Sequence, residues 1–232
     1  MTGISRRTCF QLGMSGIAAV VASMPLSAQE GQTWATSWAA SVQGPYPVGN
    51  PSAQPDQRFA FPEPAAGAND QTFRLIVRPD LWGRQARLRF SNAFGTKPLT
   101  LDGVFVGLQM GSAAIVPGTN QSVRFKGQDS VVIPPGQWVW SDPVTLPFVS
   151  EPDAASLSGR KLAVSVHVVG ESGPMTWHAK ALQTSYVTAP RAGAKGAEEG
   201  EAAYPYSTAR GRQGRGGGRS GLPLQHGLVV LP

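Results

Sequence analysis

From Thr33 to Val187 the sequence keeps no helical period: apolar residues recur at every second position, in short runs cut by Gly, Pro, Asn and Asp. A period of two places one set of side chains on one face of an extended chain, so such runs specify half-buried strands. The candidate strands are 72–77, 86–91, 99–108, 122–125, 130–133, 144–146, 161–169 and 183–187. Ala86, Leu88 and Phe90 point one way and Arg87 and Arg89 the other, while Leu162, Val164, Val166 and Val168 form a second apolar face. Each strand is expected to have one wet side. Asn92-Ala93-Phe94-Gly95, Pro117-Gly118-Thr119-Asn120 and Pro134-Pro135-Gly136 supply turns between them. The pattern predicts an all-β fold, an antiparallel, jelly-roll-like β-sandwich spanning 29–190. About 155 residues suffice to bury a core of its own.

The first 28 residues read as a cleavable export signal: Arg6 and Arg7, an apolar Gly/Ala-rich run from Gly13 to Met24, then Pro25 and Leu26-Ser27-Ala28. Ser5-Arg6-Arg7-Thr8-Cys9-Phe10 resembles the start of a twin-arginine signal, with the Phe one place late. The protein is therefore expected in the periplasm or outside the cell. The run is shorter than the roughly 20 residues of a membrane helix, and no membrane span is expected. The only cysteine, Cys9, precedes the apolar run, which leaves the mature chain without a disulfide or a lipid-bearing cysteine.

A formal charge of +6 suggests an anionic partner until its sources are located. Of 20 Lys and Arg, two lie in the signal and four in the tail (Arg210, Arg212, Arg215 and Arg219), leaving 14 against the 14 Asp and Glu of residues 29–208. The folded part is formally neutral, so no nucleic-acid partner is expected.

From Arg191 to Thr208 the composition turns to Ala, Gly and Glu without hydrophobic period, as in a flexible linker. The Arg/Gly-rich stretch after it resembles a charged nucleic-acid-binding segment, but the genetic code accounts for it better. Take the third base of one codon with the first two of the next: Pro190-Arg191 then yields Ala209, Arg191-Ala192 yields Arg210, and Ala194-Lys195 yields Gln213. All 18 steps from Ala209 to His226 are compatible with residues 190–208 displaced in this way. A tandem duplication of one base plus 18 codons has a length not divisible by three and shifts the frame. Residues 209–232 are thus expected to be an out-of-frame, disordered tail. Gly227-Leu228-Val229-Val230-Leu231-Pro232 then reports what should follow Thr208, and Ala-Ser-Trp-Phe-Phe-Leu satisfies every base constraint.

Five segments carry a family likeness: Trp34-Ala35-Thr36-Ser37-Trp38-Ala39-Ala40-Ser41, Arg87-Leu88-Arg89-Phe90-Ser91-Asn92-Ala93-Phe94-Gly95, Ser141-Asp142-Pro143-Val144, Leu162-Ala163-Val164-Ser165, and Thr176-Trp177-His178-Ala179 with Gln183-Thr184-Ser185-Tyr186. In this order they resemble the N-terminal β domain of secreted GDSL-type (SGNH hydrolase) esterases, over residues 33–208. The resemblance implies a parent enzyme cleaving carboxylic esters through a serine nucleophile, a histidine base and an oxyanion hole. Those parts would lie in a flavodoxin-like domain entered soon after a Ser-Trp-Phe-Phe-type strand, which agrees with the reconstructed continuation. That missing hydrolase domain is the first expected partner.

No Gly-Asp-Ser occurs in the chain. Gly127-Gln128-Asp129-Ser130 has an extra residue and opens a strand, and Gly170-Glu171-Ser172-Gly173 runs into Pro174 as a loop. The sequence gives no catalytic residue, no metal-ligand spacing and no cofactor motif. His167 falls opposite the apolar face of its strand, where a solvated or hydrogen-bonded role is expected, and His178 follows Trp177 in a matched segment, in a position to hold a loop. Trp138 and Trp140, at i and i+2, share one strand face, where they stack on a sugar ring or pack against the core or a hydrolase domain. Trp138, Trp140 and His178 are the candidate binding residues, with polysaccharide as the alternative partner and a free-standing carbohydrate-binding sandwich as the alternative function.

Overall fold

The alternating runs fold as strands. The computed structural model describes residues 33–44, 58, 60–178, 183–207 and, as backbone, 228–231. The expected export signal and tail residues 209–227 lie outside the described residues. In chain order the strands are β1 (Ala35–Trp38), β2 (Asn69–Val77), β3 (Gln85–Ser91), β4 (Leu99–Gly111), β5 (Ala114–Ile115), β6 (Gln121–Val123), β7 (Ser130–Ile133), β8 (Trp138–Trp140), β9 (Val144–Thr145), β10 (Leu162–Glu171), β11 (Tyr186–Val187), β12 (Tyr206–Ser207) and β13 (Leu228–Leu231). A single 3-10 turn, Ala155–Leu157, is the only helical element among the described residues.

All strand pairs are antiparallel and fall into two sheets. One runs β1-β13-β3-β8 with β9 also on β3; the other runs β12-β11-β2-β10-β4-β5 with β6 and β7 on β4. The core joins Ala86, Leu88 and Phe90 of the first sheet to Phe73, Leu75, Leu101, Val104, Val106, Val164 and Val166 of the second. Burial in β4 changes phase between Leu101 and Val104. The β4–β10 register slips at the same place, between Ser165 and His167. That bulge at Asp102–Gly103 keeps both halves of a long strand turned toward the core.

The expectation of one wet side fails for β2 and β10. Every residue from Gln71 to Val77 and from Leu162 to Val168 is buried. What covers the outer face is the segment read as a flexible linker. Residues 191–204 cross the second sheet as a strap. Arg191 N donates to Asn69 O, Gly193 N to Asp70 O, and Lys195 N to Thr72 Oγ1. Farther on, Ile115 N donates to Glu199 O. The small residues that suggested flexibility permit close approach. A Cβ on Gly196 would stand 2.6 Å from Gly103 O and 2.7 Å from a Phe105 ring carbon.

At the centre of the strap is Arg74, fully buried. Its Nε donates to Ser165 Oγ at 2.8 Å, and its Nη atoms donate to the carbonyls of Ala113, Gly196, Glu198 and Gly200. A guanidinium is tolerable in such a place because almost every donor has an acceptor. Burial lowers its pKa, and nearby Tyr204 and Glu198 oppose that effect.

The expectation of a disordered tail fails for Leu228–Leu231, which forms β13. It pairs with β1 (Ala35↔Leu231, Thr36↔Val230, Trp38↔Val229) and with β3 (Leu228↔Arg89, Val229↔Leu88, Val230↔Arg87). Strand pairing is made by the backbone, and Leu-Val-Val-Leu has a high strand propensity whatever frame it came from. Among the described residues β1 pairs with no other strand.

Candidate functional site

The outward face of β3 carries Arg87 and Arg89, and β8 lays its two tryptophans beside them, with Arg89 opposite Trp140 and Ser91 opposite Trp138. Side chains at i and i+2 share a face, so the two strands build an alternating ladder. The Arg87 guanidinium lies between two indoles, 5.6 Å from the Trp34 ring and 5.4 Å from the Trp140 ring. Arg89 sits 4.5 Å over Trp138. Both lie within cation–π range.

Trp138 is 51% exposed. The Trp138 and Trp140 rings meet edge to face, 6.4 Å apart at 85°. They are therefore surface residues of the first sheet and do not form one flat platform. Arg87 Nε donates to Ser141 O at 3.2 Å. Among the described residues neither Arg87 nor Arg89 has a carboxylate in ion-pair range. The face is cationic and aromatic, suited to an anionic or flat apolar partner.

His178 lies away from this ladder. Its Nδ1 is 2.8 Å from Ser41 O; a carbonyl only accepts, so Nδ1 carries the proton. Beside it, Gln43 and Trp177 exchange backbone hydrogen bonds, and His178 thus fastens the chain after β1 to the segment leading to β11. His167 is buried on the strap side, and its Nε2 donates to Asp70 Oδ1 at 3.0 Å. Its Nδ1 is buried without a hydrogen-bond partner.

The matched segments meet in space. Leu88 N donates to Ser141 Oγ and Ser141 N to Leu88 O, joining the second segment to the third. Phe94 N donates to Thr176 Oγ1 at 2.8 Å, joining the second to the fifth. The Trp34–Arg87 and Ser41–His178 contacts bring in the first. Asn92 is buried; its Nδ2 donates to Lys97 O and Ile133 O, both at 2.9 Å. A Cβ on Gly95 would fall 1.7 Å from Asn92 Oδ1, which explains the glycine closing that segment. The fourth segment lies in β10, where Ser165 accepts from Arg74.

Neither serine lookalike is placed as a nucleophile. Ser130 Oγ donates to Leu101 O at the start of β7. Ser172 is buried, where its Oγ accepts from Ala68 N and donates to Gly173 O. An open cleft of about 410 Å³ lies at the other end of β2, lined by Arg78, Asp80, Leu81, Trp82 and Asp153. It includes none of the sequence-predicted site residues, and Asp153 Oδ1 is engaged by Trp82 N. Among the described residues no group of three or more His, Cys, Asp or Glu is placed to hold a metal, and no helix is long and apolar enough to cross a membrane.

The fold and face define an antiparallel β-sandwich with a cationic, aromatic surface. No family model matches the chain, and no curated protein matches it significantly.

Proposed function

We propose that this chain is the accessory β domain of an exported SGNH-type serine ester hydrolase, cut off from its catalytic domain by the frame change after Thr208, and without ester hydrolase activity of its own. One observation carries the reading: four of the five segments that resemble the family form one contiguous network around β1, β3 and β8, through Trp34–Arg87, Leu88–Ser141, Phe94–Thr176 and Ser41–His178. Residues scattered over the sequence act together to hold one sheet, which explains why they occur as a set. The outward Arg–Trp ladder supplies a surface for the catalytic domain. Purified mature protein should hydrolyse p-nitrophenyl acetate no faster than a boiled control; turnover above that control would overturn the proposal. Resequencing of the locus should reveal a Gly-Asp-Ser block in the other frame within a few dozen codons.

The exposed Trp138, with two guanidiniums beside it, favours a second reading as a glycan-binding module. The perpendicular indoles limit stacking to one sugar at a time. Quenching of tryptophan fluorescence by a polysaccharide, lost in Trp138→Ala, would select this reading.

A further inference from the structure

We infer that the outward face of β3 and β8 takes an acidic polysaccharide, one that carries carboxylates on its sugar rings, with Arg87 and Arg89 as the groups that select for the acid. The inference rests on the glycan-binding reading of this face and adds to it the charge of the ligand.

Both guanidiniums are held by rings and lack an anion. Arg89 lies 4.5 Å over the Trp138 ring, and Arg87 lies between Trp34 and Trp140. Among the described residues neither meets a carboxylate in ion-pair range. Asp142, two residues beyond Trp140, has its carboxylate taken by Lys126 N and Gly127 N. Arg87 uses its Nε on Ser141 O, and among the described residues Arg89 donates to no acceptor. A guanidinium covered on its face by an indole still has its N–H groups in its own plane, where a planar carboxylate is bound by two of them at once. The ladder thus fixes the two cations without neutralising them.

The sparseness of the charge decides among anions. Residues at i and i+2 of a strand stand about 6.7 Å apart, and the neighbours placed against these two arginines are indoles. A nucleic acid is held by extended rows of Lys and Arg against many phosphates. Residues 29–208, with 14 cations against 14 carboxylates, have no excess to build such a row. A chain of sugar acids has the complementary make-up: each ring offers an apolar C–H face to an indole and a carboxylate at its rim to a guanidinium. Trp138 is half-exposed and Arg89 covers part of the rest, so a sugar resting on the open part of this indole lies next to a cation.

The test follows tryptophan fluorescence of the mature full-length chain at constant salt. The probes are polygalacturonate, alginate, each polymer after full methyl esterification, and single-stranded DNA. An acid polymer should quench saturably, and esterification, which removes the charge and keeps the sugar, should weaken binding about tenfold or more, as expected for losing hydrogen bonds between charged groups. In Arg89→Gln the ratio of acid to ester affinity should fall by roughly threefold or more, a coupling that a ligand–residue cycle isolates. Equal binding of acid and ester by the native chain leaves the glycan reading standing and overturns the selection for acid. Binding of no polysaccharide overturns both. DNA bound as tightly as the acid polymer, or an unchanged ratio in folded Arg89→Gln, also overturns the inference. Should that variant not fold, the comparison of acid with ester on the native chain decides alone.

Discussion

The guanidinium carbon of Arg74 stands 4.1 Å from the centroid of the Tyr204 ring, so that the strap is fastened by its last aromatic residue to the middle of the sheet it covers. The Tyr204 hydroxyl donates back to Lys195 O at 2.9 Å, closing the strap on itself. Between them lie the carbonyls of Gly196, Glu198 and Gly200, all turned onto the same cation.

Substituting Arg74→Met should therefore release the strap as well as remove an ion. The carbonyls of Ala113, Gly196, Glu198 and Gly200 and the Ser165 hydroxyl lose their donor. Buried groups left unsatisfied cost about 1–3 kcal/mol each, and relaxation toward water recovers part of this, so a loss of about 3–5 kcal/mol is expected. Urea unfolding measures it, and hydrogen exchange should accelerate across 193–200. A midpoint within about 0.3 M of the native value would contradict the prediction.

Tyr204 should shape the alkaline limit of stability. Burial raises its phenol pKa above the ordinary 10.0, with the Arg74 charge opposing. A group raised in the folded state contributes stability that is complete below its unfolded pKa and is lost as pH climbs through the folded one. The native chain should thus lose melting temperature more steeply above about pH 10 than Tyr204→Phe does. Melts from pH 8 to 11.5 test this; identical slopes would contradict it.

Gly95→Ala should be costly only while Asn92 is present. The new Cβ would collide with Asn92 Oδ1. Displacing that side chain breaks its bonds to Lys97 O and Ile133 O. A loss of about 2 kcal/mol or more is expected in the native background and much less in Asn92→Ala, a coupling that a double-mutant cycle isolates. Additive effects would mean that the two residues act separately.

Two tryptophans should differ sharply on truncation. Trp177 is fully buried in the core, and Trp177→Ala should cost about 3–5 kcal/mol. Trp138→Ala removes a half-exposed ring and one cation–π contact, worth about 1 kcal/mol or less. Thermal or denaturant unfolding of the two variants gives the comparison. Equal losses would place Trp138 in a structural role instead of on a binding face.

The alternation of β3 was legible because its inward residues Ala86, Leu88 and Phe90 face a sheet interior that any sandwich must have. The same rule failed for Arg74. Alternation tells which side a residue faces, whereas what covers that side is decided by contacts more than a hundred residues away, as between Arg74 and Gly200. The strap was misread for a related reason: Ala and Gly signal freedom in an isolated chain and close packing once a surface is present. Of the candidate site, Trp138 and Trp140 could be placed on one face from their spacing, but their edge-to-face angle and the interleaved Arg87 and Arg89 depend on cross-strand register. The bond from His178 to Ser41 spans 137 positions and leaves no local mark.

The dependence of β1 on β13 also fixes an order of events. The earliest of the described strands can join its sheet only after Leu228–Leu231 has been made, and pairings so distant in sequence form slowly. Until then the nascent protein carries an unmatched edge at its leading end.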